Sequence, residues 1–324
     1  MVAVHPPPGT GPYGVQVARE AVRRSWIVVS ALDERSIDQA WAWGADVIVL
    51  DLEASVHDSK KAIARARIRE AIGEVGRGGA EVFVRPDGEL LYADLDAALV
   101  TGLTGVLLPM VSSADQVREA DRIVDEFEQR RGLPGVVELH LALETAAGNL
   151  DAPEIIAASP RVRSVSLGRA DLVMDLRAEP SGELHMMPYL LQRLVLVARA
   201  GGVEPIGAWW RAGSRGTLAS PAATLEAARR ARRHGLRGGL GAQASQVAPL
   251  NEGFTPTEVE VARAEALVKA FETARARGEI RGILDGQIVD WPRAEAARGV
   301  IALAEACRRR DESKREAAAA AKQE

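Results

Sequence analysis

Residues Glu138–Leu176 read ELHLALETAAGNLDAPEIIAASPRVRSVSLGRADLVMDL, and this stretch decides the fold. Its two apolar runs, LHLAL and VRSVSL, have the length and branching of buried strands rather than helices. The first ends at Glu144, followed by Thr145 and a turn of small residues. The second ends at Gly168, with Asp171 shortly after it. Helix-forming sequence lies between them, so the two strands are joined by a helical crossover and must run parallel. Acidic groups at the carboxyl ends of neighbouring parallel strands are where an α/β enzyme can hold a divalent cation.

The same alternation extends in both directions. Upstream strand candidates are Trp26–Ser30 (WIVVS), Asp46–Asp51 (DVIVLD), Glu81–Arg85 (EVFVR, broken by Pro86) and Gly105–Leu108 (GVLL, stopped by Pro109). Downstream are a short Val203–Ile206 and a glycine-softened Arg237–Gly241. Helical patterns separate them. One ends at Gly44, a C-cap candidate, and another opens with Ser220 as N-cap and Pro221 in its first turn. Strands and helices alternating eight times are the pattern of an α/β fold, a (β/α)8 TIM barrel. The chain divides into a Pro/Gly-rich N-terminal extension (1–25), the barrel (26–253), a C-terminal lid with helices (254–309) and a charged, Ala-rich tail (310–324) expected to fray.

Composition narrows the partners. The chain has 324 residues, 47% hydrophobic, with only 4% aromatic, so its core must be aliphatic. A net charge of −4 gives no reason to expect nucleic acid or an anionic membrane. The single cysteine, Cys307, excludes an internal disulfide and a cysteine metal cluster. No run approaches the ~18 apolar residues of a membrane span, and the N-terminus lacks the blocks of a secretion signal. A cytoplasmic address is expected.

Glu144 directly ends an apolar run, and a carboxylate buried there needs a compensating partner such as a cation. Glu144 and Asp171 with waters in the remaining positions would suit octahedral Mg2+. As an alternative, Asp171 could cap the helix that follows. Asp51 and Glu53 end the second strand and Arg85 the third, on the same barrel face. A fixed guanidinium at Arg85 could stabilise charge developing on an oxoacid oxygen. Asp290, in IVDWP, is either a turn-forming residue or an acid/base. His57, His140 and His234 are isolated; His140 shares a strand face with Glu144, where a satisfied core histidine is the simpler reading.

Seven segments carry a resemblance: VIVLDLEASV, EVFVRPDG, GVLLPMVSSADQV, LALETAAGNL, SLGRADLVMDL, VAPLNEGFTPTEVEVARA and DGQIVDWPRAEAARG. In this order they resemble motifs of the citrate lyase beta-subunit-like proteins of the HpcH/HpaI aldolase group, which includes malyl-CoA and citramalyl-CoA lyases. The resemblance spans about Trp26 to Ala306. It implies a barrel with a C-terminal lid, assembled as a homotrimer or homohexamer, with Mg2+ in the mouth. The implied reaction is reversible carbon–carbon cleavage of a short hydroxyacyl-CoA to an acyl-CoA and a 2-oxoacid such as glyoxylate, pyruvate or oxaloacetate. It assigns the metal to Glu144 and Asp171, the oxoacid to Arg85, Gly168, Arg169 and Ala170, and a proton-handling role in a neighbouring subunit to Asp290. Of Asp51 and Glu53, one is expected to order Arg85 or the metal's waters and the other to be structural. The chain departs from the family pattern at Ala54 (LDLEASV for LDLEDAV), at Met110 (LPM for LPK), and at Gly239, Gln243 and Ala244 (GGLGAQASQ for GKxxIHPSQ). These departures keep open a CoA-independent 2-oxoacid aldolase and a non-catalytic ligand-binding paralogue.

Overall fold

The computed structural model describes residues 21–133, 135–168, 170–177, 183–207 and 220–323. Among them, eight parallel strands form one sheet: β1 (Ser25–Ser30), β2 (Val47–Asp51), β3 (Glu81–Arg85), β4 (Leu103–Leu108), β5 (Glu138–Leu143), β6 (Val162–Leu167), β7 (Glu204–Ile206) and β8 (Gly239–Gly241). Each pairs with its sequence neighbour, β8 pairs with β1, and a bridge between Ile206 and Gly238 closes the ring. This is the (β/α)8 barrel expected from the strand–helix alternation.

Two-residue alternation sorts the strand side chains into an inner and an outer core. Trp26, Val47, Val49, Phe83, Leu107, Ala142 and Ile206 fill the inside. Their neighbours, among them Ile27, Ile48, Leu50, Val82, Val84, Leu139 and Leu141, pack beneath the helices. The Trp26 ring lies 4.8 Å from both Phe83 and His140. Gly105 faces Phe83, and a Cβ there would sit 2.2 Å from the ring, so the aromatic fills space that only glycine leaves. His140 is wholly buried and bonded to the hydroxyls of Ser164 (2.7 Å) and Ser166 (2.8 Å). Burial, with the Arg23 charge, pushes its pKa down to about 3. It is the neutral, satisfied core histidine the sequence favoured.

The same parity sets the two ends of the barrel. At the amino ends of the strands, Glu81 and Glu138 converge on Arg23, each at 2.6 Å. At the carboxyl ends, the next inward positions are Ser30, Asp51, Arg85, Glu144 and Gly168. The register pairs Ser30 with Asp51 and Asp51 with Arg85 in one layer.

Residues from both ends of the chain meet at the barrel floor. Of the 1–25 extension, residues 1–20 lie outside the described residues, while Arg23, Arg24 and Ser25 are buried in the barrel floor. The last helix does not stop near Arg309 but runs Trp291–Ala321, and the tail expected to fray is largely part of it. The cause is a cluster of charges distant in sequence. Asp46, fully buried, accepts from Arg24 Nε (2.8 Å) and Lys314 Nζ (2.5 Å), and Asp311 accepts from Arg24 Nη2 (2.5 Å). Composition alone reads these charges as solvated. Between barrel and final helix lie the helix Glu258–Ala276 and a hairpin, β9 (Gly282–Leu284) with β10 (Gln287–Val289), sharing a small core of Phe271, Val289 and Ala294.

Burial works to raise the Asp46 pKa, but Arg24 and Lys314 hold it below its ordinary 3.8. The stability this contributes is present above that ordinary value and is lost as pH falls through the depressed one. Lys314→Met leaves Asp46 short of a partner at neutral pH and should cost about 3 kcal/mol in urea unfolding. An unchanged unfolding midpoint would show that the tail does not hold the floor.

Candidate active site

Asp51 ends β2 beside Arg85 at the end of β3, and it is fully buried. Its Oδ1 accepts from Arg85 Nε (2.7 Å) and the Glu53 amide (3.0 Å), and its Oδ2 from the Ser55 amide (2.8 Å). Burial alone would raise its pKa, but the Arg85 bond and charge, with the two amides, hold it below the usual carboxylate range. Burial likewise works against the Arg85 charge, and Asp51 and Glu53 more than restore it. Arg85 therefore stays cationic with its Nε committed to Asp51. Among the described residues its two Nη groups make no hydrogen bond, which leaves them for a ligand. Glu53 Oε2 lies 3.4 Å from Arg85 Nε. Its pKa is raised by burial and by the charges of Asp51 and Asp171, against the pull of Arg85.

Glu144 follows β5 directly. Its Oε2 accepts from the Met110 amide at 3.0 Å, and its side chain lies across Gly168, where a Cβ would come within 2.1 Å of Glu144 Cγ and Oε1. Gly168 is thus needed for close approach. Burial is the main cause pushing Glu144 up to about 7, with the charges of Asp171 and Glu53 adding to it. Asp171 sits in the first turn of the helix Ala170–Asp175. One turn later, Asp175 Oδ2 accepts from the Ala146 amide (2.6 Å) and ties that helix to the turn after Glu144.

Asp51, Glu53, Arg85, Glu144 and Asp171 thus act on one another across a single barrel mouth. Arg169 lies outside the described residues; Ala170 opens its helix, and its side chain lies outside them too. Asp290 is not part of this group. It is exposed and caps the helix Trp291–Ala321, accepting from the Arg293 amide at 3.2 Å.

Two contributors escaped the sequence reading as site residues. Met110, noted there only as a departure from the family pattern, has a left-handed backbone (φ 51°) that presents its amide to Glu144; no local signal marks it. Asp175 follows Asp171 by one helical turn, a spacing that could have identified it.

Among the described residues, no three His, Cys, Asp or Glu side chains converge closely enough to form a metal cluster by themselves. Mg2+ does not need one, since it binds through one or two carboxylates and keeps several waters. Glu144, Asp171 and Glu53 repel one another beside the Arg85 guanidinium, and a cation at Glu144 and Asp171 would relieve that repulsion. The residues fit a divalent ion of this kind.

Residues 24–238 match the family described as HpcH/HpaI aldolase/citrate lyase. The L-malyl-CoA/beta-methylmalyl-CoA lyase of Cereibacter sphaeroides is 31% identical over 287 residues, covering 82% of this chain and 89% of that one. The citrate lyase subunit beta of Leuconostoc mesenteroides is 27% identical over 291 residues, covering 89% and 95%. Among solved structures, CitE from Mycobacterium tuberculosis in complex with magnesium, acetoacetate and coenzyme A shares the fold with a TM-score of 0.65. Its identity is 24%, and the match covers 87% of this chain and 97% of that one.

A carboxyl whose folded pKa is raised to about 7 stabilises the fold fully below its ordinary 4.5, and that contribution is lost as pH rises through 7. In metal-free buffer, Glu144→Gln should therefore raise Tm at pH 8, by an amount that narrows as pH is lowered toward 4.5. A lower Tm at pH 8 would contradict the assigned environment.

Proposed function

The chain belongs to the HpcH/HpaI aldolase/citrate lyase family, and from that premise we propose that it is a Mg2+-dependent carbon–carbon lyase. Its substrate would be a short hydroxyacyl-CoA, cleaved reversibly to an acyl-CoA and a 2-oxoacid. The observation that carries this reading is the mouth itself, where one ordered cation, Arg85, stands among three mutually repelling carboxylates. Relatives named for malyl-CoA, beta-methylmalyl-CoA and citrate support the substrate class.

Glu144 and Asp171 would hold the metal, which when bound polarises the oxoacid's oxygens and offsets charge on them. Arg85 binds the same end of the substrate through its free Nη groups, while Asp51 fixes its plane through Nε. In the cleaving direction the substrate hydroxyl loses its proton and becomes the oxoacid carbonyl. The carbon–carbon bond breaks, and its electron pair passes to the thioester as an enolate, which takes a proton at carbon. Asp290 of a second copy is the residue we assign to that last proton. This requires an oligomer, for which a homotrimer or homohexamer is the family arrangement. Among the described residues no helix is long and apolar enough to cross a membrane, and a cytoplasmic address belongs to the same reading.

A second reading, an aldolase acting on free 2-oxoacids, rests on the thioester end. Met110, 42% exposed at the mouth, offers a thioether where the family pattern has a lysine, and Gly239 lies buried within β8. A panel of malyl-CoA, citramalyl-CoA and the corresponding free hydroxyacids separates the two readings. The lyase reading expects Mg2+-dependent turnover of a thioester, and turnover of free acids alone would overturn it.

Glu144→Ala combined with Asp171→Ala should abolish Mg2+ binding in titration calorimetry; unchanged binding would refute the ligand assignment. Arg85→Ala should lower kcat by about 10²- to 10³-fold, the scale seen when one preorganised donor to a developing oxyanion is removed. A change confined to KM would assign Arg85 to ground-state binding only.

A further inference from the structure

Lys61 opens the helix Lys61–Gly76 and is 7% exposed. Nothing about the helix accounts for it. A 3-10 turn, Asp58–Lys60, capped by the His57 side chain, leads directly into the helix, and the start of a helix disfavours a cation. Lys61 also shares the buried stripe of Ala64, Ile68, Ala71, Ile72 and Val75, where an apolar residue would pack. Its ammonium instead meets three acceptors. Nζ donates to the carbonyls of Leu52 (2.8 Å) and Glu53 (2.8 Å), and pairs with Asp87 Oδ2 at 2.7 Å. An ammonium has three N–H groups, and all three are used.

Those acceptors lie on the two loops that carry the catalytic charges. Leu52 and Glu53 follow Asp51, whose carboxylate already takes the amides of Glu53 and Ser55. The loop is therefore fixed through its amides to Asp51 and through its carbonyls to Lys61. Asp87 follows Arg85 by two residues, across Pro86 with its restricted backbone. The contacts close a ring from Lys61 through the Leu52–Glu53 carbonyls to Asp51, on to Arg85, and back through Asp87. Arg85 and Glu53 both belong to this ring, and Glu53 Oε2 lies 3.4 Å from Arg85 Nε.

We propose that Lys61 is a positioning residue that fixes Arg85 and the Glu53 carboxylate relative to each other by tying the β2 exit to the β3 exit. The functional consequence rests on the lyase reading. The geometric one does not. Glu144 and Asp171 follow β5 and β6, outside the ring, so the two metal ligands should stay in place when Lys61 is lost.

The test is Lys61→Met beside Lys314→Met, which removes another buried, ion-paired lysine at the opposite end of the barrel. Lys61→Met should lower kcat by about 10²-fold, the scale of a small misplacement in a catalytic site, with Mg2+ binding retained. Lys314→Met should leave kcat unchanged despite its loss of stability. Equal kcat losses in the two variants would overturn the proposal, because Lys61 would then act only through stability. A second readout needs no turnover. The Arg85 Nε–H resonance, identified by its absence in Arg85→Lys, should shift in Lys61→Met and stay in place in Lys314→Met; an unmoved signal in Lys61→Met overturns the proposal. If Lys61→Met does not fold, Asp87→Asn opens the same ring from its other side and should reproduce both effects. Absence of turnover by the wild-type chain on thioesters and free acids would defeat the lyase reading, and the Nε–H signal would still decide the role of Lys61.

Discussion

The charge on Glu144 is opposed by burial and by two neighbouring carboxylates, yet the fold gives the side chain little room to move away. Gly168 on the adjacent strand supplies the space it occupies, and the Met110 amide fixes one of its oxygens. Presenting that amide requires a left-handed backbone at a residue with a side chain, which costs on the order of 1 kcal/mol or more. Further support comes from below. Gly148 lies so close to the Val111 carbonyl that a Cβ would come within 2.1 Å of it, which packs the helix after Glu144 against the loop after β4. Opposed charge, local strain and tight glycine contacts concentrated at one carboxylate are the signature of a site held for function at some expense of stability.

The two ends of the barrel use charge in opposite ways. At the floor, Glu81 and Glu138 share Arg23, while Asp46 is enclosed by Arg24, Lys314 and Arg310, so negative charge there is met within the chain. At the mouth, among the described residues, Arg85 is the cation facing Asp51, Glu53 and Glu144, and Asp51 already takes its Nε. Under the lyase reading, that imbalance would favour a metal ion, and the Arg85 Nη groups, which make no hydrogen bond among the described residues, would meet an anion. In a (β/α)8 barrel this division between a stabilising floor and a reactive carboxyl-terminal face follows from the parallel strands. The inward parity carries it through this sequence, with Glu81 and Arg85 at opposite ends of the same strand face.

Much of this was legible in the sequence because the barrel strands are short, apolar and ended by glycine, proline or charge. Asp51, Arg85 and Glu144 could be placed together since each directly ends such a run. The chain termini were not legible. Arg24, Asp46, Asp311 and Lys314 form one cluster only after the barrel closes and the last helix folds back under it, and the local sequence around each reads as solvated charge. Lys61 was hidden for a related reason. It could have been noticed as a lysine on an apolar helical stripe, but its acceptors are two backbone carbonyls and a distant aspartate, and carbonyl direction leaves no mark in sequence.

Asp290 shows the limit from the other side. The motif around it is clear, and the structure gives it a local role as a helix cap on the appendage rather than a place among the mouth residues. Among the described residues of the mouth, none is left over for a proton at carbon. Asp51 is locked to Arg85, Glu144 and Asp171 are the pair suited to the metal, and Glu53 is drawn to Arg85. Under the lyase reading, an acid must then arrive from outside these five. The hairpin just before Asp290 exposes Ile283 and Ile288, which are cross-strand partners, so the segment leading to that acid presents an apolar face. A carboxylate delivered in this way need not share the crowded negative field of the mouth before substrate binds. That separation removes one more repulsion from a site where Glu53 and Glu144 already feel the charge of Asp171.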